Sequence, residues 1–262
     1  MPTYNSGRHL ADSIESILNQ TYKHIELLIT DDCSTDELTL EILRKYSELD
    51  SRVNVCYLKE NHGPGYARDK SIERARGRFI AFCDSDDCWF PQKLEKQIGY
   101  MHKKRCSLCY SSYITRDEND VEKGIVIAPH KMTFNTLKKD NKIGCLTAVY
   151  DIERLGKKYY MPVLRKRQDW ALFLNILRDC GTAYAITEPL AYYRLRCNSV
   201  SSNKFGLIKY NVQVYQDILD FSPISSYLYF FFIFLPTHFL KVFKKKCDSY
   251  KYLKAKRLEV KS

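Results

Sequence analysis

Two short apolar runs, each ending in a cluster of acids, constrain this chain more than any other feature. Residues 25–30 (IELLIT) run into Asp31 and Asp32, and residues 78–83 (RFIAFC) run into Asp84, Ser85, Asp86 and Asp87. A short apolar run bounded by polar residues fits a strand buried on both faces. Around these runs the apolar spacing becomes that of a helix. Leu10, Ile14, Ile17 and Leu18 recur at helical spacing, further helical patterns cover 37–49 and 64–76, and VNVCYL (53–58) reads as another strand. This β-α-β-α-β rhythm predicts an α/β domain on a parallel sheet, with helices on both faces and right-handed crossovers. Ligands of such sheets bind beyond the carboxyl ends of the strands, where both acidic clusters fall.

From about 105 to 165 the pattern loosens, with strand-like SLCYSSYI and VEKGIVIA. A helix over 168–180 is closed by Gly181 as its C-terminal cap, LAYYRL is extended, and a further helix spans about 204–220. Two units are expected: a catalytic α/β domain over 1–205 and a helical, basic tail over 206–262.

Hydrophobic residues make up 45% and charged residues 28%, which fits a globular protein and excludes a disordered one. The net charge of +11 lies mostly in the tail, where residues 236–262 carry nine Lys/Arg against two acids. The charge is not interleaved with stacking aromatics on the core, which argues against a nucleic-acid binder and for an anionic membrane surface. Residues 224–243 are rich in aromatics, interrupted by Pro236 and His238, and followed by three lysines. That pattern favours an interfacial helix over a true span. Of ten cysteines, many sit inside apolar runs as small buried hydrophobes, and the one CxxC (Cys106, Cys109) lacks a zinc-site partner pair. A reducing cytoplasm is the expected compartment.

The strongest chemical signal is DSDD at 84–87. Carboxylates crowded after a strand repel one another unless a cation or hydrogen bonds compensate, and Mg²⁺ or Mn²⁺ prefers such oxygen ligands together with substrate phosphates. The structural alternative is a solvated acidic turn capping the helix that begins near Pro91. Ser34 and Asp36 are helix-cap types after Asp31-Asp32. NHGPGYAR (61–68) is a glycine-bearing loop entering a helix, which suits either a phosphate or a simple turn. Asp169 opens the helix QDWALFLNIL, where the helix dipole favours an acid in any case.

The ordered set MPTYN, LNQTY, DDCSTD, GPGYAR, AFCDSDDCW, QDW and YYRLRCNSVSSNK resembles the family-2 inverting glycosyltransferases. It is particularly similar to bacterial enzymes that build capsular, teichuronic or O-antigen polysaccharides, and the likeness covers roughly residues 1 to 220. The resemblance implies the GT-A nucleotide-sugar-binding fold and a UDP-sugar donor. Thr3 and Tyr4 would flank the uracil, Asp32 would take its edge, and Arg68 and Asp84 would contact the nucleotide. Asp86 would ligate Mn²⁺ or Mg²⁺, Thr147 would belong to the donor-sugar pocket, and Asp169 would be the catalytic base of an inverting transfer. It also implies a saccharide acceptor, lipid-linked, at the cytoplasmic face of the cell membrane. Arg196 stands where many relatives carry His and, as a permanent cation, could bind diphosphate directly. Met1 stands where relatives end an apolar central strand, which leads to the expectation that translation begins upstream or that the chain is truncated. Two alternatives stay open: a nucleotide-sugar-binding protein of the same fold with impaired catalysis, and a sugar-phosphate nucleotidyltransferase.

Overall fold

The computed structural model describes residues 1–196 and 207–259. The first half is the expected alternation: β1 (Pro2–Thr3), α1 (Gly7–Leu18), β2 (Leu27–Asp31), α2 (Glu37–Leu49), β3 (Val53–Tyr57) and α3 (Pro64–Arg74). β2 pairs in parallel with both β1 and β3, placing Pro2 opposite Thr30 and Leu27 opposite Val53. α1 buries Leu10, Ile14 and Ile17 in one core with Ile29 and Leu43. The Asp36 carboxylate caps α2, accepting from the Thr39 N–H at 3.0 Å.

The second half continues through β4 (Phe79–Ala81), β5 (Cys88–Trp89), α4 (Lys93–Lys104), β6 (Leu108–Arg116), β7 (Glu122–Val126), β8 (Lys131–Thr133) and α5 (Phe134–Leu137). A 3-10 turn (Cys145–Thr147) leads to β9 (Val149–Asp151), α6 (Ile152–Leu155), α7 (Gln168–Cys180) and β10 (Thr182–Arg194). Its sheet runs β4-β9-β6-β10-β5, with β7 on β6 and β8 on β10. Here the expected all-parallel sheet is corrected. Only β6 and β10 pair in parallel; β9 is antiparallel to β4 and β6, and β5 is antiparallel to β10. Antiparallel neighbours need no helical crossover, which suits the loosely patterned stretch that supplies them. α7 is apolar nearly all round, from Trp170 to Leu177, and lies at the centre of the larger core. Gly181 ends it at φ 73°, its N–H bonded to the Leu177 carbonyl at 2.8 Å.

The two sheets do not join. Between β2 and β4 lies a largely apolar cavity of about 420 Å³, lined in part by Leu27, Leu28, Ile80, Phe82 and Trp89, with Met1 and Pro2 at its rim. The Met1 ammonium donates to the Leu28 carbonyl at 2.7 Å, and burial pushes it down to about 5. β1 pairs with β2 through two residues, and a cavity separates β2 from β4.

α8 (Leu207–Asp217) precedes α9 (Pro223–Tyr229), which passes through a π-turn (Phe230–Phe234) into α10 (Leu235–Glu259). Pro236 does not break this helix, because the π-turn directly ahead of it loosens the register where the proline ring would meet a carbonyl. One face of the helix lies on the α/β domain along most of its length. Phe230 and Phe234 are buried, with Phe234 5.8 Å from the Trp170 ring. At the far end the Ser249 hydroxyl accepts from the Ile125 N–H at 3.1 Å, and Lys256 pairs with Glu122 at 2.6 Å. The boundary expected at 205/206 falls outside the described residues, and the helices after it dock on the α/β domain.

Lys93, at the start of α4, is fully buried; its ammonium has no hydrogen-bond partner among the described residues and sits 4.0 Å from the centre of the Trp89 ring. Burial pushes it from 10.5 down to about 7. The folded form therefore favours the neutral amine, so the cost to stability is full below pH 7 and fades as pH rises toward 10.5. Lys93→Met is expected to raise stability at pH 7 by about 1–4 kcal/mol. In urea denaturation the gap between variant and parent should narrow by pH 10.

Candidate active site

The DSDD loop leaves β4 into the space beyond the carboxyl ends of the strands, and the protein holds its acids from three sides. The Asp87 carboxylate is buried and accepts from the Arg194 N–H at 3.0 Å. Arg194, the last residue of β10, has a fully buried guanidinium that donates to the Asp86 carbonyl at 3.1 Å and to the Asp120 carboxylate at 2.9 Å. The Ser85 and Ser6 hydroxyls bond at 2.9 Å. Asp84 is paired with Arg68 of α3, and Asp86 with Arg196 at 3.3 Å. The loop is not a solvated helix cap: Gln92 occupies the cap of α4 and no side chain bonds there. Burial pushes the Asp86 carboxyl up, and the neighbouring Asp84 charge adds to it; Asp87 is pushed well up by burial and then by Asp86 and Asp84.

No group of three or more His, Cys, Asp or Glu forms a metal cage among the described residues. The donor set at this point is Asp84 and Asp86, two carboxylates whose charges already act on one another. That set fits Mg²⁺ or Mn²⁺, which takes one or two carboxylates and leaves its other positions to phosphate and water.

The opposite wall comes from α3 and α7. Asp169 lies in the first turn of α7 and accepts from the Asn141 side-chain amide at 3.0 Å. Burial pushes the Cys145 thiol up, Arg68 opposes this, and the charges of Asp84 and Asp169 add to it. GPGYAR meets QDW directly: the Gln168 side-chain amide lies where a Cβ on Gly65 would stand and would have to shift for any larger residue. The Nε–H of Arg68 has no partner among the described residues, a buried donor left free beside Asp84.

Of the residues expected to hold the nucleotide, Thr3 is buried with its hydroxyl unpaired among the described residues, and Tyr4 is exposed next to it. The Asp32 carboxylate accepts from the N–H groups of His62 and Gly63 at 2.8 and 2.7 Å. It holds the glycine loop, and each oxygen keeps a second lone pair. Thr147 is not brought to the site surface. It is fully buried, and its hydroxyl donates to the Gly144 carbonyl at 2.7 Å. The Ser/Asn-rich part of YYRLRCNSVSSNK, from Cys197 to Lys204, lies outside the described residues. Sequence reasoning missed Arg194 and Asn141. An arginine closing the run LAYY (190–193) is the signal for Arg194; nothing local marks Asn141.

The sheet, with acids at its strand ends and Asp169 in the first turn of α7, is that of a GT-A fold. Residues 1–153 match the family described as Glycosyl transferase family 2, and the chain belongs to that family. It is 42% identical over 219 residues to TuaG of Bacillus subtilis (strain 168), named for teichuronic acid biosynthesis, covering 83% of this chain and 86% of TuaG. It is 38% identical over 230 residues to WfgD of Escherichia coli, a UDP-Glc:alpha-D-GlcNAc-diphosphoundecaprenol beta-1,3-glucosyltransferase, covering 87% and 88% of the two chains. In fold it resembles S. aureus TarS 1-349 in complex with UDP-GlcNAc, with TM-score 0.65 and 20% identity over 86% of this chain and 67% of that one.

The two arginines that hold the acidic loop differ in burial, and so should their variants. Arg194→Met removes the guanidinium's bonds to the Asp86 carbonyl and to Asp120 while the backbone N–H to Asp87 remains, and is expected to cost about 1–3 kcal/mol in urea denaturation. Arg196→Ala breaks an exposed pair and should stay within about 0.5 kcal/mol of the parent.

Proposed function

We propose that the protein is an inverting glycosyltransferase that moves a sugar from a UDP-sugar to an acceptor hydroxyl in cell-surface polysaccharide assembly. The observation that carries this reading is the close approach of three motifs: Arg68 holds Asp84, and Gly65, three residues before it, lies against Gln168, the neighbour of Asp169. Asp169 takes the proton of the acceptor hydroxyl as its oxygen attacks the anomeric carbon, and a single displacement from the far side inverts that carbon. Mn²⁺ or Mg²⁺ held by Asp86, with Asp84 beside it, would neutralise charge on the departing diphosphate. Arg68 holds Asp84 and presents its free Nε–H toward the same end, while Arg196 lies within reach of the diphosphate once it leaves Asp86. Thr3, Tyr4 and Asp32 border the place for the uracil, and Thr147 shapes the donor-sugar pocket from behind.

Support for the donor and acceptor comes from the relatives: WfgD uses UDP-Glc and a diphosphoundecaprenol-linked saccharide, and TarS binds UDP-GlcNAc. A screen of UDP release across UDP-sugars with Mn²⁺ and with Mg²⁺ tests the reading. Asp169→Asn is expected to lower transfer by about a thousandfold or more while UDP affinity stays unchanged. Binding of UDP without turnover of any donor would mark a nucleotide-sugar-binding protein instead.

The tail supports action at the inner face of the membrane, against an anionic lipid surface. The helix over Pro223–Glu259 is long and apolar enough to cross a bilayer by length and composition. It is, however, tied to the α/β domain from Phe230 to Lys256, and a helix so held lies along a membrane rather than through it. Leu228, Phe232, Phe239 and Phe243 recur at helical spacing on its exposed side, with Lys244 and Lys246 nearby. Sedimentation with phosphatidylglycerol vesicles is expected, weakened by high salt. Phe232→Glu with Phe239→Glu should reduce it about tenfold or more.

A further inference from the structure

The inner face of α10 is connected to the catalytic base. Phe234, His238 and Lys241 fall on one side of the helix at helical spacing, and that side faces the loop between α5 and the 3-10 turn. In this loop Asp140 is buried, with its carboxylate 2.6 Å from the Lys241 ammonium and 3.5 Å from the His238 ring. Lys241 also donates to the backbone carbonyl of the next residue, Asn141, at 2.8 Å. The Asn141 side chain is fixed at both ends: its amide oxygen accepts from the Ile143 N–H at 3.1 Å, and its NH₂ donates to Asp169 at 3.0 Å. His238 stacks on Phe234, which packs on Trp170, the residue after Asp169. The tail thus reaches Asp169 by two routes, one polar through Asn141 and one apolar through Trp170.

We propose that α10 is a positioning element of the active site: Lys241 clamps the Asp140–Asn141 loop, and the clamped Asn141 aims Asp169 at the acceptor. The proposal rests on the reading of Asp169 as the base. Asn141 is a positioning residue, since it acts through Asp169. A hydrogen bond to one carboxylate oxygen fixes the rotamer and leaves the other oxygen free for the acceptor proton. Burial makes the clamp strict, because a displaced Lys241 leaves the Asp140 carboxylate buried without its partner. The same helix carries its apolar stripe on the outside. A lipid surface that seats this stripe therefore also seats the clamp, which would tie turnover to membrane contact.

The test uses the full chain with UDP-glucose and UDP-N-acetylglucosamine as donors, following UDP release with Mn²⁺ with and without phosphatidylglycerol vesicles. Asn141→Ala is expected to lower kcat by about 10–100-fold, leave UDP affinity and donor KM unchanged, and move the acid limb of the rate profile to higher pH. Lys241→Ala should lower kcat similarly, Lys241→Arg should restore most of it, and Lys241→Ala should add little to Asn141→Ala. Hydrogen exchange needs no turnover: in Lys241→Ala, amides of residues 138–144 and the first turn of α7 should exchange faster, while β2 and β3 stay protected. Unchanged exchange in that loop, or independent and additive effects of the two substitutions, would overturn the proposal. If Asp169→Asn keeps full turnover, the assignment of the base fails instead, whatever Asn141 does.

Discussion

Three carboxylates on one four-residue loop repel each other, and much of the surrounding structure serves to keep them together. Asp84 is held by Arg68, Asp86 by Arg196, and Asp87 by the backbone of Arg194. The supports come from α3, from β10 and from the segment just after it, so the loop ties distant parts of the chain to one point. Burial raises the cost of the charges, as the upward push on Asp86 and Asp87 records. A fold that accepts this cost at the end of a buried strand keeps carboxylates together where, on the proposed reading, a cation and a diphosphate would meet.

The second wall is organised differently. α7 is a buried helix whose apolar sides leave it no freedom, and its first turn carries Asp169 into the site. Rigidity there is supplied by packing, whereas rigidity at the acidic loop is supplied by charge. Gly65 lets α3 and α7 approach, since the Gln168 side chain sits directly against it. The tail helix then braces α7 through Phe234 and Trp170, and faces solvent with Phe232, Phe239 and Phe243.

Much of this was legible in the sequence. The strands at residues 27–31 and 53–57 and the helices over 37–49 and 168–180 follow from the period of the apolar residues, and Gly181 ends the last of them as its conformation requires. Three site acids, Asp84, Asp86 and Asp169, are placed by motif order. What stayed hidden involves partners far apart in the chain. The antiparallel places of β5 and β9 depend on neighbours that short, weakly patterned strands do not announce. Thr147 looks like a pocket residue by position, but its hydroxyl turns to Gly144 because the 3-10 turn closes that way.

Local spacing determined the α/β character, the helix ends and the location of acids at strand ends, because each depends on residues a few positions apart. Only the tertiary structure decided what those acids touch. Arg194 lies 107 positions from Asp87, and Lys241 lies 100 positions from Asn141. Such contacts are fixed by how the sheets, α7 and α10 pack, and packing depends on side-chain volumes from the whole chain. The acidic clusters that first constrained the fold were therefore visible at once, while the buried guanidinium and the amide that make them a site emerged only from the folded chain.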